Sequence, residues 1–313
     1  MTQISASMVK ELREKTGAGM MDCKSALTSS NNDMEGAIKI LREKGLAKAA
    51  KKTSRVAAEG LVGIYAQGPK AAIIELNCET DFVARNEDFK KLVDEIAQIA
   101  WNFEPKAGQN TNEIDGSELN QAVTASGQSV ESLLNDKVAV IGEKIALRRF
   151  AILTNADVYG AYIHGGGSIG VLVAAKLSDP SLAKNSQVEQ AARDIAMHVA
   201  AASPMFVRES DIPADWIKNE REIFISQVEA SGKPKDMIEK IVDGKMAKHK
   251  KDYCLLDQPF VKNPDQSVQG MLNDLAKNSG AKLEVVNVIR FKVGEGIEKQ
   301  ADNLADEVRK MTE

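Results

Sequence analysis

Two stretches of this chain repeat one another. Residues 158–177, "VYGAYIHGGGSIGVLVAAKL", lay onto residues 61–80, "LVGIYAQGPKAAIIELNCET", and the pairs Gly63 and Gly160, Tyr65 and Tyr162, and Gly68 and Gly165 are each 97 residues apart. Several identities in one register mean that one supersecondary unit is used twice, and the fold has to hold both copies. In the first copy Gly68-Pro69 separates two apolar stretches, the pattern of a β-hairpin. A helix follows, with Phe89, Leu92, Val93 and Ile96 at helical spacing. Its "VDEIAQIA" answers "ARDIAMHVA" in the second copy, where Ile96 and Ile195 stand 99 residues apart. Both copies close on similar strands, "IALRRFAIL" and "VVNVIRFKV". A hairpin, a helix and a strand, used twice, predict an α+β protein with two duplicated subdomains built on antiparallel sheets.

Three short helices precede the first copy. Met8 and Leu12 share a face that Ser5 or Ser7 can cap, "TGAG" breaks the pattern, and "MMDCKSALTSS" resumes it. After "NND" a third helix runs from about Asp33 to Lys52, with Ala37, Ile40, Leu41 and Ala47 facing inward. A bundle of about fifty residues has little margin of stability, so it needs docking or a partner. The polar, Gly-rich residues 104–130 read as a loop with one short helix. The second copy carries an insertion from about Ala214 to Lys251, in which Ile217, Phe224 and Val228 form one helical stripe and Ile238, Ile241, Val242 and Met246 another. Broken by "SGKPK", this is an antiparallel helical hairpin with arms of about 25 Å at 1.5 Å per residue.

Composition narrows the function. The 313 residues are 43% hydrophobic and 27% charged, as in a soluble globular protein with two or more cored modules. A formal charge of −4 argues against a general nucleic-acid binder. One run, "GLAKAAKKTSR", does set Lys44, Lys48, Lys51, Lys52 and Arg55 at roughly helical spacing. It reads either as a solvated face or as an attraction for RNA or an acidic protein. Cys23, Cys78 and Cys254 lie far apart with no CxxC or Cys/His cluster, which suggests neither a zinc site nor a disulfide framework. Free thiols fit a reducing compartment, and no stretch reads as a signal peptide or a membrane span, so a cytoplasmic protein is expected.

Most candidate chemistry has a plain alternative. "GAGMMD" lacks the Lys-Ser/Thr ending of a phosphate loop and reads as an interhelical turn, so no direct nucleotide binding and no cofactor are expected. Met20 and Met21 are neighbours about 100° apart on a helix, so one of them is expected at the surface, where Met adapts to partners. His198 reads as a satisfied core residue, His249 as exposed among lysines, and His164 as an exposed hairpin tip. Cys78 with a histidine would make a thiol nucleophile, but no third member is fixed. In "TDFV", Asp81 either caps a turn while Phe82 folds back into the core, or the pair stands out at a strand end as an acid beside an aromatic wedge.

Longer motifs add a resemblance to these readings. "LREKTGAGMMDCKSAL" (12–27), "ELNCETDFVAR" (75–85), "HGGGSIGVLV" (164–173), "SGKPKDMIEK" (231–240), "DQPFV" (257–261) and "FKVGEGIEK" (291–299) together resemble the bacterial translation elongation factor Ts family over essentially the whole chain. Ser168 departs from it, standing where that family would place a basic residue. The resemblance implies a ubiquitin-associated-like N-terminal module, two core subdomains, a coiled-coil hairpin and a C-terminal helical segment. The expected divisions are 1–54, 55–154, 155–300 with the hairpin at about 208–252, and 301–313. It also implies a non-enzymatic guanine-nucleotide exchange factor that binds elongation factor Tu, GDP-bound and nucleotide-free. Thr80, Asp81, Phe82 and Val83 would disturb that partner's Mg²⁺ site, and Arg13, Met20, Met21 and His164 would contact the partner. Nucleic acid and membrane are not expected as partners, and a homodimer stays open.

Overall fold

The computed structural model describes residues 4–231 and 234–298. The expected C-terminal helical segment, 301–313, lies outside them. The described residues form two compact units, one within 1–63, 74–150 and 292–313, the other within 64–73 and 151–291.

The first unit begins with α1 (Ala6–Thr16), α2 (Met20–Ser29) and α3 (Met34–Lys52). Local signals fix their ends. Ser5 accepts a hydrogen bond from the Met8 amide, Gly17 closes α1 at φ +66°, and the Asp33 carboxylate accepts from the amides of Glu35 and Gly36. Val9, Leu12, Cys23, Ala26, Leu27 and Ala37 make a small core. Ala47, expected inward, is exposed, and Gly45 is buried in its place. The reason is packing: Gly45 faces Ala139, and a Cβ there would stand 3.0 Å from that of Ala139, closer than ordinary van der Waals contact, so the small residue suits this approach.

Next come β1 (Glu59–Gln67), β2 (Lys70–Cys78), the single turn α4 (Asp81–Ala84), α5 (Glu87–Trp101), β3 (Ile114–Asp115), α6 (Val130–Ile141) and β4 (Ile145–Thr154). The sheet order is β1-β2-β4-β3. α5 buries Phe89, Leu92, Val93 and Ile96, the stripe read from the sequence, and Ala97 and Ala100 beside it. The 104–130 segment is more ordered than a loop. Ile114 pairs with Phe150 and Asp115 with Arg149 in antiparallel register, and Gly116–Leu119 is a 3₁₀ turn.

The second unit carries β5 (Val158–His164), β6 (Ile169–Leu177), α7 (Ser186–Ala202), α8 (Ala214–Ala230), α9 (Lys235–Tyr253), β7 (Pro259–Phe260), β8 (Asn263–Ser267), α10 (Val268–Ser279) and β9 (Leu283–Lys292). Its larger sheet runs β5-β6-β9, with β5 antiparallel to β6 from Val158↔Ala175 to His164↔Ile169. α8 and α9 pair through Val228, Ile238, Val242 and Met246. His249 is not exposed among lysines. Its ring stacks on Trp216 with centroids 5.3 Å apart, meets Phe224 and Tyr253 edge-on, and its Nε2 lies 2.9 Å from Glu220 Oε2. His198 is buried as read. The Val261 amide donates to its Nδ1, so the proton sits on Nε2 and is donated to Gln258 Oε1, while burial pushes the imidazole pKa down.

Gly160 has a packing duty. A Cβ there would meet the Ala192 carbonyl oxygen at 2.1 Å, so β5 lies against α7 backbone to backbone. Gly160→Ala is expected to cost about 1–3 kcal/mol, the usual penalty of overpacking, read as a lowered urea midpoint. An unchanged midpoint would contradict the close approach.

Candidate functional site

The turn at the end of β2 is built from its neighbours. Thr80 is the N-cap of α4, its Oγ1 accepting from the Val83 amide at 3.4 Å. Ala84 is buried and anchors the other end. Phe82 precedes Ala84 by two residues, about 200° round a helix, and this turns the ring away from the core. It is 80% exposed. Of the two readings of "TDFV", the structure thus gives the outward one. Asp81 is partly exposed and pairs with Arg85 at 2.8 Å.

Beneath the turn two glutamates cross. Glu143 Oε2 accepts from the amides of Thr80 (2.9 Å) and Glu79 (3.2 Å), and its Oε1 accepts from the Thr80 hydroxyl (2.6 Å). The Glu79 carboxylate in turn accepts from the Lys144 amide and from Arg55. Neither glutamate's role is visible in sequence, because the contacts that link 79–80 to 143–144 join residues more than sixty positions apart through irregular backbone. A Gly-Glu-Lys that ends a helix before a strand is the one local hint.

The sequence model of the family described as Elongation factor TS matches residues 79–295. The chain belongs to that family. The match takes in the Phe82 turn and His164 but not Arg13, Met20 or Met21. Elongation factor Ts proteins serve translation elongation, and that role carries to this chain.

The remaining candidates fall into separate groups. Met20 and Met21 are both exposed, at 60% and 77%, where one was expected. Met20 opens α2, so although it shares a face with Cys23 and Leu27 it lies past the end of the core they fill. Arg13 is exposed on α1. His164 ends β5 in the second unit, exposed, with its Nδ1 3.2 Å from the Tyr162 hydroxyl. Ser168 donates to the His164 carbonyl at 3.4 Å and so serves the turn.

Much of the basic run is engaged within its own unit. Lys48 pairs with Asp22 at 3.2 Å, Arg55 with Glu79 at 3.1 Å, and Lys52 donates to the Gly142 carbonyl. Among the described residues no group of three or more His, Cys, Asp and Glu side chains could hold a metal ion, and no helix is long and apolar enough to cross a membrane.

Cys78 is buried and donates to the Thr80 carbonyl at 3.2 Å. Burial first, then the charges of Glu143 and Glu59, push its thiol up to about 12. Three units above an ordinary thiol is about a thousandfold less thiolate at pH 8, the opposite of an activated nucleophile. Iodoacetamide at pH 8 is therefore expected to leave Cys78 unlabelled in the native chain and to label it in urea, as read by peptide mass spectrometry. Rapid native labelling would contradict the burial. Because the folded thiol titrates above the unfolded one, Cys78 supports the fold fully below pH 9.0, and that support is lost as pH rises towards about 12.

Proposed function

We propose that this chain is a guanine-nucleotide exchange factor for elongation factor Tu, binding its GDP form, releasing GDP and leaving when GTP enters. The observation that carries the reading is the Phe82 ring, held 80% exposed on a capped turn in a member of the elongation factor TS family. Family membership supports the partner, and the turn supports the means.

A GTPase holds its nucleotide through backbone donors around the phosphates and a bridging Mg²⁺. Phe82, pressed between elements of the partner, displaces the segment that orders the metal. Thr80 and Val83 hold the ring's turn, and Asp81 brings a negative charge towards phosphates that have lost their counterion. Arg13, Met20, Met21 and His164 supply contact area. No bond is made or broken, so the protein is not an enzyme, and it needs no cofactor and no nucleotide site of its own.

Linkage requires that whatever weakens GDP in the complex weakens the factor equally in the presence of GDP. Exchange then accelerates without shifting the final balance of GDP and GTP. The coupling has to exceed the roughly 1–3 kcal/mol common in allostery.

The finer organisation belongs to the same reading. It comprises a ubiquitin-associated-like module over 1–54, duplicated subdomains over 55–154 and 155–300, a coiled-coil hairpin at about 208–252 and a cytoplasmic setting. The packing of Gly63 on Val93 and of Gly160 on Ala192, strand against helix in each, supports the duplication.

The test is to mix this protein with elongation factor Tu loaded with fluorescent GDP and follow release by stopped flow. Release accelerated in proportion to bound factor is expected, and release at the spontaneous rate under saturation would remove the proposal.

A further inference from the structure

We propose that Glu143 is the positioning residue of the Phe82 turn, a role that rests on the exchange activity proposed above. Its carboxylate fixes the direction in which the turn leaves β2, and so where the ring meets the partner.

Three features carry this. First, one carboxylate grips both backbone and side chain at the turn's root: Oε2 takes the Glu79 and Thr80 amides while Oε1 takes the Thr80 hydroxyl. Second, that same hydroxyl accepts from the Val83 amide, so the Glu143 bond sets the rotamer of the cap itself. Without it the hydroxyl is free to turn to another acceptor, and α4, only four residues long, has no length of its own to hold its axis. Charge-assisted bonds of this kind are the strong ones, so the restraint is stiff.

Third, the segment that carries Glu143 is itself pinned. Gly142 stands at φ +83°, and its carbonyl accepts from Lys52. The Lys144 ammonium donates to the carbonyls of Thr53 (2.8 Å) and Arg55 (2.9 Å), while the Lys144 amide donates to Glu79. Residues 142–144 thus tie the end of α3 to the end of β2. Supporting shells of this sort hold a functional group to within about 0.5 Å. Glu143 is not itself an exposed residue like Phe82, and it acts through Thr80.

The experiment compares the full-length wild type with Phe82→Ala, Glu143→Ala and Glu143→Gln. It reads the maximal rate of fluorescent-GDP release at saturating factor, the Kd for GDP-loaded elongation factor Tu, and amide hydrogen exchange over 79–85 in the free chain. Glu143→Ala is expected to lower the maximal rate about tenfold, the scale of one lost charge-assisted bond, with much less change in Kd. The Thr80 and Val83 amides should exchange faster in the free chain. Glu143→Gln should restore most of both signals, because its carboxamide oxygen can take the two amides while its nitrogen donates to Thr80 Oγ1.

A merely structural role would instead move Kd, rate and unfolding together. A normal release rate in Glu143→Ala, with Phe82→Ala impaired, overturns the positioning role while leaving the exchange reading intact. If the wild type releases no GDP, the exchange reading falls, and the free-chain exchange alone decides: unchanged Thr80 and Val83 amides overturn the restraint. Should Glu143→Ala not fold at assay temperature, Glu143→Asp takes its place. It keeps the charge one methylene short of the turn, and the same split of rate from Kd is expected.

Discussion

Phe82→Ala is expected to bind GDP-loaded elongation factor Tu nearly as well as the wild type and to lose most of the acceleration of GDP release. The ring is 80% exposed, so the free chain loses almost no burial when it is truncated. Unfolding should shift by no more than about 0.5 kcal/mol, as for ordinary surface substitutions. In the complex the same ring is an aromatic anchor, and truncating such an anchor costs about 2 kcal/mol or more, roughly thirtyfold. That cost should appear in the release rate rather than in affinity, because a wedge spends its binding energy on distorting the partner. Reciprocity gives a second readout: GDP should displace the variant from its partner less effectively than it displaces the wild type. Stopped-flow release with labelled GDP measures the first effect and competition at equilibrium the second. Undiminished acceleration would remove the wedge.

How the sequence announces each feature depends on how far its cause reaches along the chain. α5 and the α8–α9 pair show because burial repeats with the helical period, and Phe89, Leu92, Val93 and Ile96 lie on the stripe that periodicity picks out. Gly160 shows because its identity recurs at a fixed offset, although only the structure gives the reason, a backbone-to-backbone approach. β3 does not show, since two residues have no period and their pairing with β4 is set from thirty-odd positions away. His249 misleads for a related reason. Lysines surround it in sequence, but Trp216, Phe224 and Glu220, which surround it in space, come from the other arm of the hairpin. At the candidate site Phe82 stands out as an aromatic beside a carboxylate just past an apolar strand, whereas Glu143 is one acid among many.

Glu75→Ala is expected to be the most destabilising single change in the first unit, by about 3–5 kcal/mol, the cost of removing one partner from a buried ion pair. Glu75 sits in β2 with no solvent exposure. Its oxygens accept from Arg149 Nε at 2.6 Å, Arg148 Nη1 at 3.0 Å, the Gly294 amide at 2.8 Å and Asn77 Nδ2 at 3.3 Å. The Arg149 side chain is only 12% exposed. Its other acid contacts are longer and more open to water, Glu113 at 3.3 Å and Glu295 at 3.8 Å. Truncation therefore strands positive charge in a place that water reaches poorly. It also frees the Gly294 amide, so 292–298 should lose hydrogen-exchange protection along with the fall in the urea midpoint. Glu75→Gln keeps an acceptor and should fall between. If the cost comes from stranded charge rather than lost volume, Glu75→Leu should be nearly as damaging as Glu75→Ala. Adding Arg149→Met to Glu75→Leu should then recover part of the loss, because replacing both members of a buried pair by apolar groups removes the desolvation penalty as well. A double variant no more stable than Glu75→Leu would mean that Arg149 owes its place to Glu113 and Glu295, and that the buried carboxylate serves chiefly to hold Gly294.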